Sequence, residues 1–403
     1  MSRLSKLTNI WETVKEFELA PIRQEALEGV KLVVSGSLGS GRRILAEQLV
    51  LDPSHPEVQM ESFITILDLD DIDQEKELDL VVLMIDSRQS DFTQEAQYSR
   101  KWSQSGIPVL VIINQYDNSN MENGHQSWIE WQTRRVVLGS ILDRGFLEQE
   151  VALAVIDLLP NKLMALGRKF PIFRIPIAHY LINETCYTNA AYSLSTGLAE
   201  IIPILTIPLT ITDMIVLSKN QAFLVYKLGL TLGFSTRWQD YISEFGGVLG
   251  SGFMWRQIAR SLIGLVPLWG IIPKVGVAYA WTYVVGNVVL QWHITGRHIS
   301  KKQMQELYYR SLHQGKETAR RILSRMPRIR FPRLKLPRLR LRRLQRPSVR
   351  LPRLPSLLSR KKHQAKPMVA SQECPECGRL SAEDAVLCQY CGFIFGEILV
   401  QER

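Results

Sequence analysis

The sequence predicts an α/β fold with a parallel sheet, followed by an all-α hydrophobic helical domain, a disordered basic linker and a small cysteine module. Three observations support this prediction. Residues 29–140 alternate short apolar runs with helical stretches, residues 196–292 are hydrophobic and poor in charge, and four of the five cysteines follow residue 370. Strands that alternate with helical stretches indicate crossover connections and therefore a parallel sheet.

Charge is distributed unevenly along the 403 residues, a length that accommodates two or three domains. Residues 319–372 contain 18 Lys or Arg and no Asp or Glu. Because the whole chain has 49 basic and 39 acidic residues, the remainder has 31 against 39, a balance of −8. The lone Cys186 and the clustered cysteines do not form a secreted disulfide framework. We expect no signal peptide, and we expect the N-terminal part of the chain to face a reducing cytosol.

Five apolar runs carry the prediction of the sheet. They are continuously apolar, as buried parallel strands are, and leave room for crossover helices. The runs are VKLVVSG, FITILDLDD, DLVVLMIDS, VLVIINQYD and RRVVLGS. Ligands of such a sheet bind at the carboxyl ends of its strands. Before the sheet, the helical spacing of apolar residues over 4–19 predicts an amphipathic helix within 1–28.

The first run leads into a glycine-rich turn, VSGSLGSGRRIL. Gly36 and Gly41 have the spacing of G-x-x-x-x-G-K-[ST], in which backbone N–H groups cradle phosphate. An ordinary strand-to-helix turn would have the same appearance. The candidate phosphate-binding residues are Gly36, Gly39, Ser40, Gly41, Arg42 and Arg43.

The fourth run ends in Asn114-Gln115-Tyr116-Asp117, which resembles the N-K-x-D motif of small GTPases. The resemblance implies that Asp117 accepts hydrogen bonds from the guanine edge and that Asn114 orients the loop. About forty residues up to Asp117 are similar to the Era-like bacterial GTPases. We therefore expect a P-loop GTPase-like domain over 29–165 that can hold GTP or GDP.

The catalytic positions depart from the GTPase pattern. Arg42 replaces the lysine that reaches the β- and γ-phosphates, and Arg43 replaces the hydroxyl residue that binds Mg²⁺. Asp68, a further candidate nucleotide-binding residue, begins a D-L-D-D sequence that lacks the glycine of D-x-x-G. We expect a degenerate domain without assigned catalytic residues, which binds guanine nucleotide with little or no hydrolysis; an active GTPase is the alternative.

The hydrophobic region over 166–302 fits two descriptions. Residues 261–292 carry one charge, Lys274, over a length that exceeds a membrane span, and proline pairs predict two helical hairpins. A soluble bundle of buried helices explains the same pattern. FPIFRIPIAHYLINETCYTNAAYSLSTGLAEIIPILTIP and PKVGVAYAWTYVVG resemble the YcjF-type bacterial family, whose hydrophobic domain has no known function. That resemblance implies the bacterial inner membrane, with the N-terminal domain and the C-terminal module in the cytoplasm.

The segment 303–370 predicts a polar helix and then a Pro/Arg-rich linker. Residues 327–341 repeat Pro-basic-apolar-basic-apolar three times, a pattern that favours extended chain with basic and apolar residues on opposite sides. Such an arm over 326–362 suits an anionic lipid surface. A solvated spacer and, less favoured, a nucleic-acid contact stay open.

The cysteine module over 371–396 predicts a zinc ribbon. Ten residues separate two C-x₂-C pairs, and four thiolates suit tetrahedral, structural Zn²⁺. The predicted ligands are Cys374, Cys377, Cys388 and Cys391.

The whole pattern indicates a membrane-associated, GTPase-related regulator or scaffold that docks an unknown protein partner. The alternative to this regulator or scaffold, besides an active GTPase, is a soluble adaptor that binds nucleic acid or protein through the arm and ribbon.

Overall fold

The structure is a computed structural model of the chain. It describes residues 19–52, 55–59, 64–72, 77–89, 91–114, 133, 135–199, 206–241, 271–296, 301–325, 371–375, 378 and 380–382. The basic linker, the predicted helix before residue 19 and most of the cysteine module lie outside these residues.

A five-stranded parallel sheet forms the centre of the N-terminal half, so the α/β prediction is confirmed. Its order is β4–β1–β5–β6–β7. The strands are β1 (Leu32–Gly36), β4 (Thr65–Ile66), β5 (Leu80–Asp86), β6 (Val109–Asn114) and β7 (Arg135–Gly139). Each lies within one of the five apolar runs, and β1, β5 and β6 are buried almost throughout. This sheet is consistent with the P-loop-like architecture expected from the sequence.

Alternate residues of the strands supply two hydrophobic clusters, one on each face of the sheet. Val33, Val81 and Val111 pack with Trp102 of helix α3 (Thr93–Gln104). Their neighbours in sequence pack on the other face with helix α2 (Arg42–Val50) and with helices from the second half of the chain. The continuous apolar runs are therefore explained by burial on both faces.

An antiparallel hairpin of β2 (Leu51–Asp52) and β3 (His55–Gln59) was not predicted from the sequence. Strand β2 has two residues, and β3 begins with His55 and Pro56. Neither segment has an alternating apolar pattern long enough to predict a strand.

Helices dominate the second half of the chain. Helix α4 covers 144–158 and consists of α-helical Arg144–Phe146, π-helical Leu147–Val151 and α-helical Ala152–Leu158. It is followed by α5 (Leu163–Lys169), a 3₁₀ turn (Pro171–Phe173), α6 (Arg174–Ala199), α7 (Thr206–Thr231), α8 (Ile271–Thr295) and α9 (Lys301–Arg325). The part of helix α1 that the structure describes covers 19–27.

Helix α8 packs against α6, α7 and α9. Two of the prolines predicted to break the helices, Pro208 and Pro273, lie in the first turns of α7 and α8. A proline is tolerated there because the first N–H groups of a helix have no intrahelical acceptor. Within the described residues, no helix combines the length and the apolar character that crossing a membrane requires.

A buried polar contact joins three of these helices. Asn189 Nδ2 of α6 donates to Thr282 Oγ1 of α8 over 2.8 Å, and Asn220 Nδ2 of α7 donates to Asn189 Oδ1 over 2.7 Å. Because an unsatisfied amide in an apolar core is costly, these pairs fix the register of the three helices.

Helix α5 joins the helices to the amino edge of the sheet. Lys162, just before α5, contacts Asp79 Oδ1 over 2.7 Å, and Lys169 Nζ donates to Val30 O over 2.7 Å. At the same helix, Arg168 Nη1 donates to Phe234 O over 2.6 Å. The sheet and the helices share one hydrophobic cluster, and the domain boundary predicted after residue 165 falls inside α5.

Candidate nucleotide site

The glycine-rich turn lies at the carboxyl edge of the sheet, between β1 and α2. Gly36 has φ +142°, and a Cβ there would lie 2.1 Å from Met84 O of the neighbouring strand β5. This position therefore requires glycine on steric grounds. In the turn itself, Ser40 N donates to Ser37 O over 3.2 Å. The predicted strand, turn and helix are all present.

The amino end of α2 can accept an anion. Its N-cap, Gly41, has the left-handed φ of +97°, and no side chain caps the helix. The first turn contains no acidic residue. Because the first N–H groups of a helix lack intrahelical acceptors and carry partial positive charge, this end fits a phosphate.

Asn114 connects the turn to two strand ends. The side chain is fully buried; its Nδ2 donates to Ser40 O over 3.1 Å, and its Oδ1 accepts from Ile141 N over 3.2 Å. The amide thus joins the end of β6, the glycine-rich turn and the segment after β7. This geometry matches the loop-orienting role that the sequence resemblance implies. Asp117 lies outside the described residues.

Arg42 and Asp68, both candidates from the sequence, meet beside the turn. Arg42 Nη1 lies 2.6 Å from Asp68 Oδ1 and donates to Leu67 O over 3.1 Å. The Arg42 side chain is 14% exposed, whereas that of Asp68 is 74% exposed. The guanidinium is therefore packed against the segment after β4, with its charge balanced by Asp68.

Arg43, in the position of the Mg²⁺-binding hydroxyl, lies on the outer surface of α2. Its side chain is 73% exposed, and Nε lies 3.4 Å from Glu47 Oε1 one turn along the helix. A guanidinium has no lone pair to bind a cation. The residues of the turn therefore fit the phosphate part of a nucleotide, but they do not reproduce the metal ligand of a GTPase.

A buried carboxylate beside the turn was missed by the sequence analysis. Glu95 of α3 is 2% exposed and is hydrogen-bonded to Ser37 Oγ at the start of the turn. Gln89 Nε2 donates to the same carboxylate over 3.1 Å. The spacing of Glu95, Ser99 and Trp102 would place them on one helix face, but a glutamate in a first turn is usually exposed.

Asp86 ends β5, in register with Asn114 of β6. The Arg88 guanidinium donates to the carboxylate, with Nη2–Oδ2 at 2.7 Å and Nε–Oδ1 at 3.0 Å. These bonds lower the pKa of Asp86 below its ordinary value. The contact between Asp86 and Arg88 was not predicted from the sequence, although the residues MIDS were predicted to end a strand at the carboxyl edge of the sheet.

The described part of the cysteine module is an antiparallel pair, β8 (Ser371–Glu373) and β9 (Leu380–Ala382). Cys374 is buried, and Gly378 N donates to Cys374 O over 2.9 Å with Gly378 at φ +64°. Cys374 is the first residue of the predicted C-x₂-C pair. The other three predicted ligands, Cys377, Cys388 and Cys391, lie outside the described residues. Within the described residues, no group of three metal-binding side chains occurs.

Comparison with known proteins gave no relative for this chain: no family model matches it, and no curated protein is significantly similar to it.

Proposed function

We propose that this chain is a membrane-associated, GTPase-related regulatory or scaffold protein whose α/β domain binds a guanine nucleotide with little or no hydrolysis. One observation carries the proposal. The buried Asn114 holds the glycine-rich turn at the amino end of α2, which has no side-chain cap and no acidic residue in its first turn and is therefore suited to a phosphate. The resemblance of Asn114 and Asp117 to the guanine-reading motif supports the choice of base.

The low hydrolysis follows from the position of Arg43. Phosphoryl transfer depends on positioning and on charge stabilisation by Mg²⁺, which a turn hydroxyl normally helps to bind. Arg43 cannot bind the cation and faces solvent beside Glu47. Arg42, the other basic residue of the turn, is engaged by Asp68. These contacts support a role in binding a nucleotide, or in presenting a nucleotide-like surface, rather than in hydrolysing a nucleotide.

The membrane part of the proposal rests on the sequence of the helical region and of the linker. Helix α5 attaches that region at the amino edge of the sheet, through contacts such as Lys169 to Val30, whereas the glycine-rich turn lies at the carboxyl edge. Attachment at the amino edge is compatible with nucleotide binding at the carboxyl edge. Membership of the YcjF-type family and a structural zinc ion in the ribbon belong to the same hypothesis.

The test is calorimetric titration of the full chain with GTP, GDP and ATP, with and without Mg²⁺. We expect binding of guanine but not adenine nucleotides, lost in Asp117→Ala. A matched control is Asp71→Asn, a change of a carboxylate outside the guanine-reading motif. Absence of binding at about 1 mM of each nucleotide would overturn the nucleotide part of the proposal.

A further inference from the structure

The order of the strands defines the direction in which a nucleotide would lie on the sheet. Asn114, the loop-orienting residue of the candidate guanine-reading motif, ends β6, the glycine-rich turn follows β1, and β4 lies on the far side of β1. A nucleotide with its base at β6 and its first phosphates at the turn directs its terminal phosphate towards β4. The residues after β4 therefore decide how many phosphates the site accepts.

Asp68 lies at this end of the site and neutralises the nearest cation. Its Oδ1 is 2.6 Å from Arg42 Nη1, which also donates to Leu67 O over 3.1 Å. A third phosphate would have to compete with both oxygens for this guanidinium. It would also bring negative charge close to the Asp68 carboxylate.

The segment that carries Asp68 is anchored by the residues that follow it. Leu69 and Ile72 are buried in the cluster on the α3 face of the sheet. Asp70 accepts a hydrogen bond from the Tyr98 hydroxyl of α3. These contacts hold the segment beside the turn, so it cannot move away without disturbing the apolar cluster.

Two further features disfavour a ligand that carries more negative charge than a diphosphate. Arg43 supplies neither a metal ligand nor a cation at the turn, because it lies beside Glu47 on the outer face of α2. The buried Glu95 carboxylate contacts Ser37 at the other end of the turn. The Asp68 and Glu95 carboxylates thus contact residues at the two ends of the turn, and the N–H groups at the amino end of α2 balance only part of a phosphate chain.

We propose that the site selects a nucleoside diphosphate over the triphosphate, with Asp68 as the specificity-determining residue. The inference rests on the proposed nucleotide function and adds to it the class of ligand. Asp68 acts in two ways, by repelling the third phosphate and by holding Arg42 away from it. Because Asp68 is largely exposed to solvent, we expect a preference of about tenfold rather than complete exclusion.

The test is titration of the full chain with GDP and with a non-hydrolysable GTP analogue, with and without Mg²⁺. The wild type should bind GDP about tenfold more tightly than the analogue, and Mg²⁺ should change this ratio by less than about twofold. Asp68→Asn removes the repelling charge and releases Arg42, so affinity for the analogue should rise about tenfold with little change for GDP. Asp71→Asn, in the same segment, should leave the ratio unchanged.

Arg42→Gln separates the two actions of Asp68. In the Asp68→Asn background it should remove the part of the gain for the analogue that comes from the released guanidinium. Equal affinities in the wild type, or an unchanged ratio in Asp68→Asn, would overturn the diphosphate inference alone. Failure of all guanine nucleotides to bind the folded wild type would overturn the proposed function itself.

Discussion

The side chain of Asn114 donates to the carbonyl of Ser40 over 3.1 Å, across 74 residues of sequence. This bond connects the strand end that resembles a base-reading motif to the turn that resembles a phosphate loop. The Asn114 carbonyl also accepts from Ile141 N, so one buried amide fixes three segments of the carboxyl edge. The three segments of the candidate site are thus held together by contacts within the protein.

Replacement of Asn114 should therefore loosen the site and lower stability. In Asn114→Ala, Ser40 O and Ile141 N lose their partners inside the protein, and we expect a loss of about 2–3 kcal/mol in the free energy of unfolding. Urea denaturation of the full chain measures this loss. Asn183→Ala, at an exposed position of α6, should change stability by less than about 0.5 kcal/mol. Similar losses in the two variants would contradict a structural role for the Asn114 contacts.

Gly36 tests the geometry of the turn independently of charge. A Cβ at this residue would lie 2.1 Å from Met84 O, and φ of +142° is disfavoured for other residues. We expect Gly36→Ala to destabilise the fold by about 3 kcal/mol or more, measured by urea denaturation. Gly29→Ala is the control, since a Cβ at that residue would meet no atom within 4 Å. Equal stabilities of the two variants would show that the turn differs from this geometry.

The sheet could be predicted because its three central strands, β1, β5 and β6, are buried on both faces. Continuous runs such as the one ending at Asn114 carry that information locally, and all five were found in parallel pairing. The hairpin of β2 and β3 could not be predicted, because Leu51 and Asp52 are too few to form a pattern. Buried strands can thus be predicted from the sequence, whereas the pairing of very short strands depends on the surrounding fold.

The candidate site was predictable only in part. Glycine spacing identified Gly36 and Gly41, and the ending of a strand identified Asn114, since each of these two signals is contained within a few consecutive residues. The Arg42–Asp68 contact needs β1 and β4 to be neighbours, which the order of elements alone does not determine. Glu95 was missed because its burial depends on how α3 packs on the sheet. Tertiary contacts, rather than local propensities, place the charges of this site.

Asp86 and Arg88 predict a pH dependence of stability. Hydrogen bonds from Arg88 lower the pKa of Asp86 in the folded protein, so the carboxylate stabilises the fold above its ordinary pKa of 3.8 and this contribution is lost as the pH falls below it. Because Arg88 is 60% exposed, we expect less than about 1 kcal/mol.

Unfolding by urea between about pH 5 and pH 2.5 measures the Asp86 contribution. Asp86→Asn and Arg88→Gln should each reduce the loss of stability on acidification relative to the wild type. Asp71→Asn is the matched control, since its exposed carboxylate lies outside this pair. An unchanged pH profile in both variants would show that the pair adds nothing to stability.

The basic linker predicts attachment to anionic lipid. Helix α9 ends at Arg325, so a chain that stops there lacks the repeated Pro-basic segment but keeps every described helix. The full chain should co-sediment with vesicles containing about 30% phosphatidylserine more strongly than the shortened chain. High salt should reduce the difference, because the attraction is electrostatic. Equal co-sedimentation of both chains would assign lipid contact to another segment and contradict the predicted role of the arm.

Zinc content tests the predicted ribbon. Gly378 N donates to Cys374 O over 2.9 Å, in a turn that begins at the first predicted zinc ligand. We expect one zinc ion per chain by elemental analysis, released by a strong chelator under denaturing conditions. Cys374→Ser should lower the zinc content at least severalfold, because three thiolates hold the metal less well than four.

Cys186→Ala is the matched control: this thiol is buried in α6, outside the module, so its loss should leave the zinc content unchanged. Zinc below about 0.1 per wild-type chain, in protein purified without chelator, would contradict the ribbon.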